Sequence, residues 1–453
     1  MSLTHEVDFD RIEEQAKAHE EFIRATRNVR YLLELGYSRG LSGGRVPSVE
    51  EWQRLLAQVD WLLVLYGASD TLHNELEVGG VDVDSEFIPE VFYEGGDDHA
   101  YQHEAANELL ERDDDEDRVA SMDEAERQRL NTAFVNSVGF PLTTLLPVLA
   151  VLGRWVSARE GAVPLAWSYE GSKADVLATL VAHMSPPMPQ AEVEAALDFL
   201  TLDAGRVCVL AARELEEGDV PIWEHRKRVH RYGIRPVLRI GQDRLLWGAA
   251  AAHRAFGIWN GTFSDGYPPA DFGYPQIEEV AASIKKHIED DLEVRTVEVL
   301  GRHLTYFEHG VDFHRRFPLE GFEDVGDFDV LAYRPEDNRW FMVECKYNKP
   351  AFCIKDMRRL REEVFGKTPT TGQLAKIARR HAFLETHAAR LLELLKWPAG
   401  PAVEQRIEDL YVCPRIFPFM RHVPRPVLTQ FVRLGKLNAL VRSRLDGGAD
   451  PGQ

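Results

Sequence analysis

Two carboxylates and a lysine come close together in the segment GDFDVLAYRPEDNRWFMVECKY, residues 326–347. DFDVLAY and RWFMVECKY carry β-branched and aromatic residues, and RPEDNR between them holds Pro, Asp and Asn, so the segment reads as strand, turn, strand. A four-residue loop at 335–338 sets Arg334 opposite Arg339, and by the same register Asp329 opposite Glu344 and Asp327 opposite Lys346. Cross-strand neighbours lie about 5 Å apart at their Cβ atoms, where like charges repel. Two carboxylates at that separation suit a divalent cation. A hard ion such as Mg²⁺ takes one or two carboxylates, with waters and phosphate oxygens completing its shell. Bound there, such an ion acidifies a water and neutralises phosphate charge. Lys346 beside the acids would remain protonated. An ordinary Lys346–Asp327 ion pair on a surface hairpin is the competing reading.

Period-two alternation sorts the two faces. Phe328, Val330 and Ala332 fall with Cys345, Val343 and Phe341 on an apolar face expected to be core. Asp327, Asp329, Leu331 and Tyr333 fall with Lys346, Glu344, Met342 and Trp340 on the other, with the polar residues at one end.

Asp329 followed by Glu344-Cys345-Lys346 on the next strand resembles the signature of the PD-(D/E)XK nuclease superfamily, over residues 275 to 420 only. Phe328 stands where that signature has Pro. The resemblance implies a restriction-endonuclease-like domain and a Mg²⁺-dependent phosphodiesterase, with Mn²⁺ as a substitute. It implies nucleic acid as substrate, DNA ahead of RNA, and endonuclease ahead of exonuclease action. Asp329 and Glu344 would be metal ligands, the Cys345 carbonyl a further one, and Lys346 the catalytic lysine. The family often adds a glutamate from its first helix. Glu293 is the candidate here, with Glu289 and Glu279 as alternatives. A bacterial defence or restriction role follows only by analogy at the level of the fold.

The elements that must position these residues are legible around them. PQIEEVAASIKKHIEDDLEVRTVEVL carries Ile277, Val280, Ile284, Ile288 and Leu292 at helical steps. GVDFHRRFPL is the expected first strand, the hairpin supplies two more, GQLAKIARRHAFLETHAARLLELL an amphipathic helix, and IEDLYVCPRIFP a last strand. The expected class is α+β or α/β, with a mostly helical N-terminal region ahead of a mixed central sheet flanked by helices. Three regions are expected: an acidic helical one over 1–129, a mixed one over 130–270 and the nuclease-like one over 271–453. GIWNGTFSDGYPPADFGYP, rich in Gly and Pro, marks the last boundary.

A net charge of −21 sits badly with a nucleic-acid enzyme until it is located. Residues 271–453 hold 28 Lys and Arg against 28 Asp and Glu, which leaves 25 against 46 in residues 1–270. From 345 onward the chain is net basic. Lys349, Lys355, Arg358, Arg359, Lys376, Arg379 and Arg380, together with Arg361, are the expected phosphate contacts, against the reading of two solvated helix faces. Arg226, Lys227, Arg228 and Arg231 form a second basic group, for which a solvated face is the first expectation. The acidic stretch from Gly80 through the DDDED run to Arg118 reads as loop and exposed helix, an interaction or solubility tract rather than a calcium loop.

Four scattered cysteines (Cys208, Cys345, Cys353, Cys413) without CxxC spacing, and an opening without a signal-peptide pattern, point to a reducing cytoplasm. The uncharged stretch from Leu130 to Gly153 is broken by Asn131, Asn136, Pro141 and Pro147, so a buried helix pair is expected there rather than a membrane span. FGKT at 365–368 lacks the first glycine of a phosphate loop, since position 361 is Arg. His303, His309 and His314 lack metal-ligand spacing. The remaining alternative is a catalytically silent nucleic-acid-binding or assembly protein with the same fold. In either case the N-terminal region is the expected surface for a protein partner or a second copy.

Overall fold

The computed structural model describes residues 9–40, 47–94 (without 75, 77, 84, 86 and 87), 122–155, 168–207, 227–348 and 354–446 (without 422, 424 and 425). Lys349, Arg226, Cys208, Cys353 and the DDDED run fall outside them. In chain order the elements begin with α1 (Phe9–Ser38), α2 (Val49–His73), β1 (Gly79–Val83), β2 (Pro89–Tyr93), α3 (Glu124–Val138) and α4 (Leu142–Gly153). They continue with β3 (Ser168–Ser172), α5 (Lys173–His183), α6 (Gln190–Leu200), β4 (Thr201–Leu202), β5 (Val237–Ile240), β6 (Arg244–Gly248), α7 (Ala249–Ser264) and α8 (Pro275–Gly301). The last are β7 (Tyr306–Val311), α9 (Phe313–Arg316), β8 (Phe328–Arg334), β9 (Arg339–Cys345), α10 (Ile354–Phe365), α11 (Gln373–Leu395), β10 (Arg406–Cys413), α12 (Pro418–Arg421), β11 (Gln430–Arg433) and α13 (Leu434–Leu445). Helices and mixed sheets together make this an α+β protein.

Two compact units divide the chain. One takes in Met1–His19, Ala68–Ala120 and His287–Gln453, the other Glu20–Gly67 and Ser121–Lys286. The expected boundaries at 129/130 and 270/271 do not coincide with this division. The second unit is built on a four-stranded sheet ordered β3-β6-β5-β4, in which β5 and β6 form an antiparallel hairpin. Leu130 to Gly153 is a bent pair of helices with Leu145, Val148, Leu149 and Leu152 fully buried. Among the described residues no single helix is long and apolar enough to cross a membrane.

The first unit holds a five-stranded sheet ordered β11-β10-β9-β8-β7. β7 and β9 each run antiparallel to β8 between them, whereas β10 lies parallel to both β9 and β11. The order helix, three strands, helix, strand is therefore present from α8 to β10. The first strand is not GVDFHRRFPL. It lies upstream at Tyr306–Val311, because the Asp312 side chain accepts the Arg315 N–H and turns Phe313–Arg316 into a helix. The β1–β2 hairpin likewise replaces the loop expected after Gly80. It pairs two short runs, Gly79–Val83 and Pro89–Tyr93.

Both faces of the five-stranded sheet are covered. Val330, Ala332, Phe341, Val343 and Cys345 pack with Leu292 and Leu300 of α8 and Leu437 and Val441 of α13. Leu331, Tyr333, Trp340 and Met342 pack with Leu360 and Val364 of α10 and Ile377, Phe383 and Leu391 of α11. The second set was expected to end a half-polar face; instead it is core, because α10 and α11 land on it. A strand buried on both faces loses the simple alternation that marks a solvated sheet.

Candidate active site

The hairpin register is the one derived from the loop: Arg334 pairs with Arg339, Tyr333 with Trp340 and Val330 with Val343. Pro335–Asp337 forms a single tight turn closed by Asn338, whose φ of 50° is left-handed. The registered pairs stop at Val330↔Val343, one residue short of Asp329. On the other side β7 pairs Val311 with Phe328 and His309 with Val330, and the intervening Gly310 has φ +57°. The ladder is irregular at this point. Asp329 makes up for it with its side chain, as Oδ2 accepts the backbone N–H of Cys345 at 2.8 Å. Phe328 consequently joins the aromatic cluster of Phe313 and Phe383 rather than the face of Val330.

Lys346 lies between the two acids. Its Nζ is 2.9 Å from Asp329 Oδ2 and 2.8 Å from Glu344 Oε1, and it donates to the Cys345 carbonyl at 3.1 Å. The expected pairing with Asp327 is replaced by this double contact, because the Asp329 side chain has turned toward β9. Asp329 and Glu344 are each 7% exposed. Burial, and then the charge of Asp329, push the Glu344 carboxyl above its ordinary range. Burial alone would lower the Lys346 ammonium, but Glu344 and Asp329 more than offset it and hold it above its usual value. Lys346 is thus a standing cation, suited to charge stabilisation rather than to proton abstraction.

Arg380, expected among the phosphate contacts, is instead part of this cluster. It is 5% exposed, pairs with Glu344 Oε2 and donates to the Asp327 carbonyl. The sequence held a signal for this. Leu374, Ile377, Leu384, Ala388 and Leu391 form the buried stripe of α11, and Arg380 interrupts it at an inward position. Lys376 and Arg379 are exposed on the same helix, as are Lys355 and Arg359 on α10. Arg358 is half-buried and bonds Glu362 at 3.0 Å.

Three more contacts escaped sequence reasoning. Tyr411, the β10 partner of Glu344, donates to Gln373 Oε1 at 2.7 Å, while Asn348 Nδ2 donates to the phenol oxygen at 3.1 Å. Gln373 opens α11 two helical turns before Arg380, so both fall on one face of the helix. The loop before it needs its glycines: Gly366 has φ +74°, and a Cβ there would lie 2.0 Å from the Thr371 carbonyl oxygen. FGKT is thus a tight interhelical turn. On the opposite side of β9, the Cys345 thiol meets Thr296 Oγ1 of α8 at 3.4 Å, and burial pushes that thiol far up. Glu293 lies one turn before Thr296, half-buried, and its charge acts on Cys345.

A separate pair lies on the α11 side of the sheet. His381 Nδ1 is 2.8 and 2.9 Å from the two oxygens of Asp409, which sits on β10 opposite Met342. Burial raises the Asp409 carboxyl, opposed by its hydrogen bond to His381. The folded protein therefore holds this proton more tightly than the unfolded chain does. Its contribution is present in acid and is lost as pH rises through the folded value. Stability of the wild type relative to Asp409→Asn is expected to fall as pH rises from below the carboxylate range. Urea midpoints over a pH series read this difference, and parallel profiles would contradict it.

The donors around Lys346 are all hard oxygens, from Asp329, Glu344 and the Cys345 carbonyl. By the chemistry of its donors, such an oxygen set suits Mg²⁺ or Mn²⁺. His303 and His314 have other partners, Asn438 Oδ1 at 2.8 Å and the Phe322 carbonyl at 2.7 Å. No protein-family model, curated protein or solved structure matches this chain.

Proposed function

We propose that the chain is a metal-dependent nuclease that hydrolyses phosphodiester bonds, with Asp329, Glu344 and Lys346 at its centre. The observation that carries this reading is the bridging of two buried carboxylates from adjacent strands by one lysine, at 2.8 and 2.9 Å. The order of α8, three strands, α11 and β10 around that lysine supports it, as does the resemblance of the residues themselves.

Asp329 and Glu344, with the Cys345 carbonyl and Glu293, would hold Mg²⁺ or Mn²⁺. Bound there, the ion supplies Lewis-acid charge and lowers the pKa of a water. The chain's own residues do the rest. Asp329 is fixed by the Cys345 N–H, and Glu344 by Arg380. Lys346 presents a permanent ammonium to the charge that builds on the phosphate oxygens. Lys355, Arg359, Lys376 and Arg379, all exposed, are the available phosphate contacts. DNA is the preferred substrate of the proposal.

Cleavage of plasmid, linear duplex, single-stranded DNA and RNA is the test, with Mg²⁺, Mn²⁺ or EDTA. Cutting that needs the metal and names one substrate is the expected result. Mg²⁺ or Mn²⁺ is also expected to raise the melting temperature, and Glu344→Ala to abolish the rise. Absence of both effects would leave the silent binding or assembly protein as the better reading.

A further inference from the structure

Lys346 stands at the point toward which the proposed metal donors converge. Its Nζ lies 2.8 Å from Glu344 Oε1, 2.9 Å from Asp329 Oδ2 and 3.1 Å from the Cys345 carbonyl oxygen. Asp329 Oδ2 also accepts the Cys345 N–H at 2.8 Å, which holds that carboxylate in place. A divalent ion draws its oxygens closer than an ammonium does, to about 2.0–2.1 Å for Mg²⁺. An ion and an ammonium cannot both bond the same three oxygens without pressing their like charges together. The place takes one of them at a time.

Two cations serve these carboxylates, and they are held differently. Arg380 takes the other oxygen of Glu344 and the Asp327 carbonyl, and its side chain is 6% exposed. A planar guanidinium bonded on both sides and buried is a fixed part of the site. The Lys346 side chain is 30% exposed, and its ammonium ends a flexible four-carbon stem. Lys346 is therefore the cation that can give way. Once it leaves the carboxylates it needs another counter-charge. A phosphate oxygen drawn to the ion supplies one at the same place, since a metal so bound neutralises phosphate charge.

We propose that Lys346 competes with the divalent ion for this place in the free protein and gives way by moving onto a phosphate oxygen of the substrate, so that metal and nucleic acid bind cooperatively. The proposal rests on the reading of Asp329 and Glu344 as metal ligands. Such coupling is reciprocal: nucleic acid raises the affinity for the metal by the factor by which the metal raises that for nucleic acid. The free protein then holds the ion more weakly than the complex does, and the same lysine that closes the site serves the phosphate once it opens.

The test is acetylation of the full chain with acetic anhydride, read at Lys346 by peptide mass spectrometry. It is run in EDTA, in Mn²⁺, and in Mn²⁺ with a phosphorothioate DNA duplex that resists cutting. Lys367, 77% exposed, is the internal reference. Mn²⁺ alone is expected to raise the labelling of Lys346 several-fold as the ammonium leaves the carboxylates, and the duplex to suppress it again. Calorimetry in parallel identifies the Mn²⁺ site that Glu344→Ala loses. That site should bind Mn²⁺ about tenfold or more tightly once the duplex is present, and Lys346→Met should reach the tighter affinity without it. Saturation of a Glu344-dependent site with no change in Lys346 labelling, or equal affinities in wild type and Lys346→Met, overturns the proposal and leaves the metal reading standing. No Glu344-dependent Mn²⁺ site in either protein, with or without the duplex, removes both.

Discussion

Lys346→Ala is expected to reduce metal-dependent cleavage by about 10²–10³-fold, the usual cost of removing one preorganised charge from a transition state. The reason is geometric. Lys346 Nζ touches Asp329, Glu344 and the Cys345 carbonyl, the oxygens proposed to hold the metal. Its ammonium is held above its usual value by those carboxylates, so it is charged throughout the neutral range. Without it, Asp329 and Glu344 confront each other with only Arg380 opposite Glu344. A divalent ion should then bind the variant at least as firmly as the wild type. The expected signature is a melting rise with Mg²⁺ that persists in Lys346→Ala while cleavage is lost. A variant that cuts at the wild-type rate would remove Lys346 from the chemistry.

Arg380→Ala is expected to give the largest loss of stability at this site, about 3 kcal/mol, because it breaks a buried pair and leaves Lys346 as the cation facing Glu344. Arg380 joins the buried Glu344 carboxylate to the Asp327 carbonyl, so its loss takes a donor from each. Urea denaturation measures the loss. Combining Arg380→Ala with Glu344→Gln should recover part of it, since the neutral amide needs less charge compensation than the buried carboxylate. A coupling of about 0.5–3 kcal/mol is the range for residues in direct contact. Strict additivity, or a loss below about 1 kcal/mol, would show that the pair contributes little. Lys376→Ala and Arg379→Ala, on the exposed face of the same helix, should stay within about 0.5 kcal/mol of wild type. Their effect belongs in nucleic-acid affinity and its salt dependence.

What the sequence by itself determined is local. A tight loop with Pro335 and Asn338 between two β-rich runs leaves one register, and that register brings Asp329, Glu344 and Lys346 together. The helical spacing of Ile277, Val280, Ile284, Ile288 and Leu292 marked α8, all five of them buried. These features depend on residues a few positions apart, where period and turn chemistry act directly.

What only the tertiary structure decided depends on elements far apart in the chain. The face carrying Leu331 and Met342 became core because α10 and α11 cover it. Arg380 moved from surface contact to carboxylate partner because that turn of α11 settles against Asp327 and Glu344. The same holds for Arg228 and Arg231, buried by Glu34 and the Pro269 carbonyl, one far upstream and the other well downstream. A charged side chain is written alike in the sequence whether it faces water or a carboxylate. Only the packing of distant elements fixes which of the two removes it from solvent.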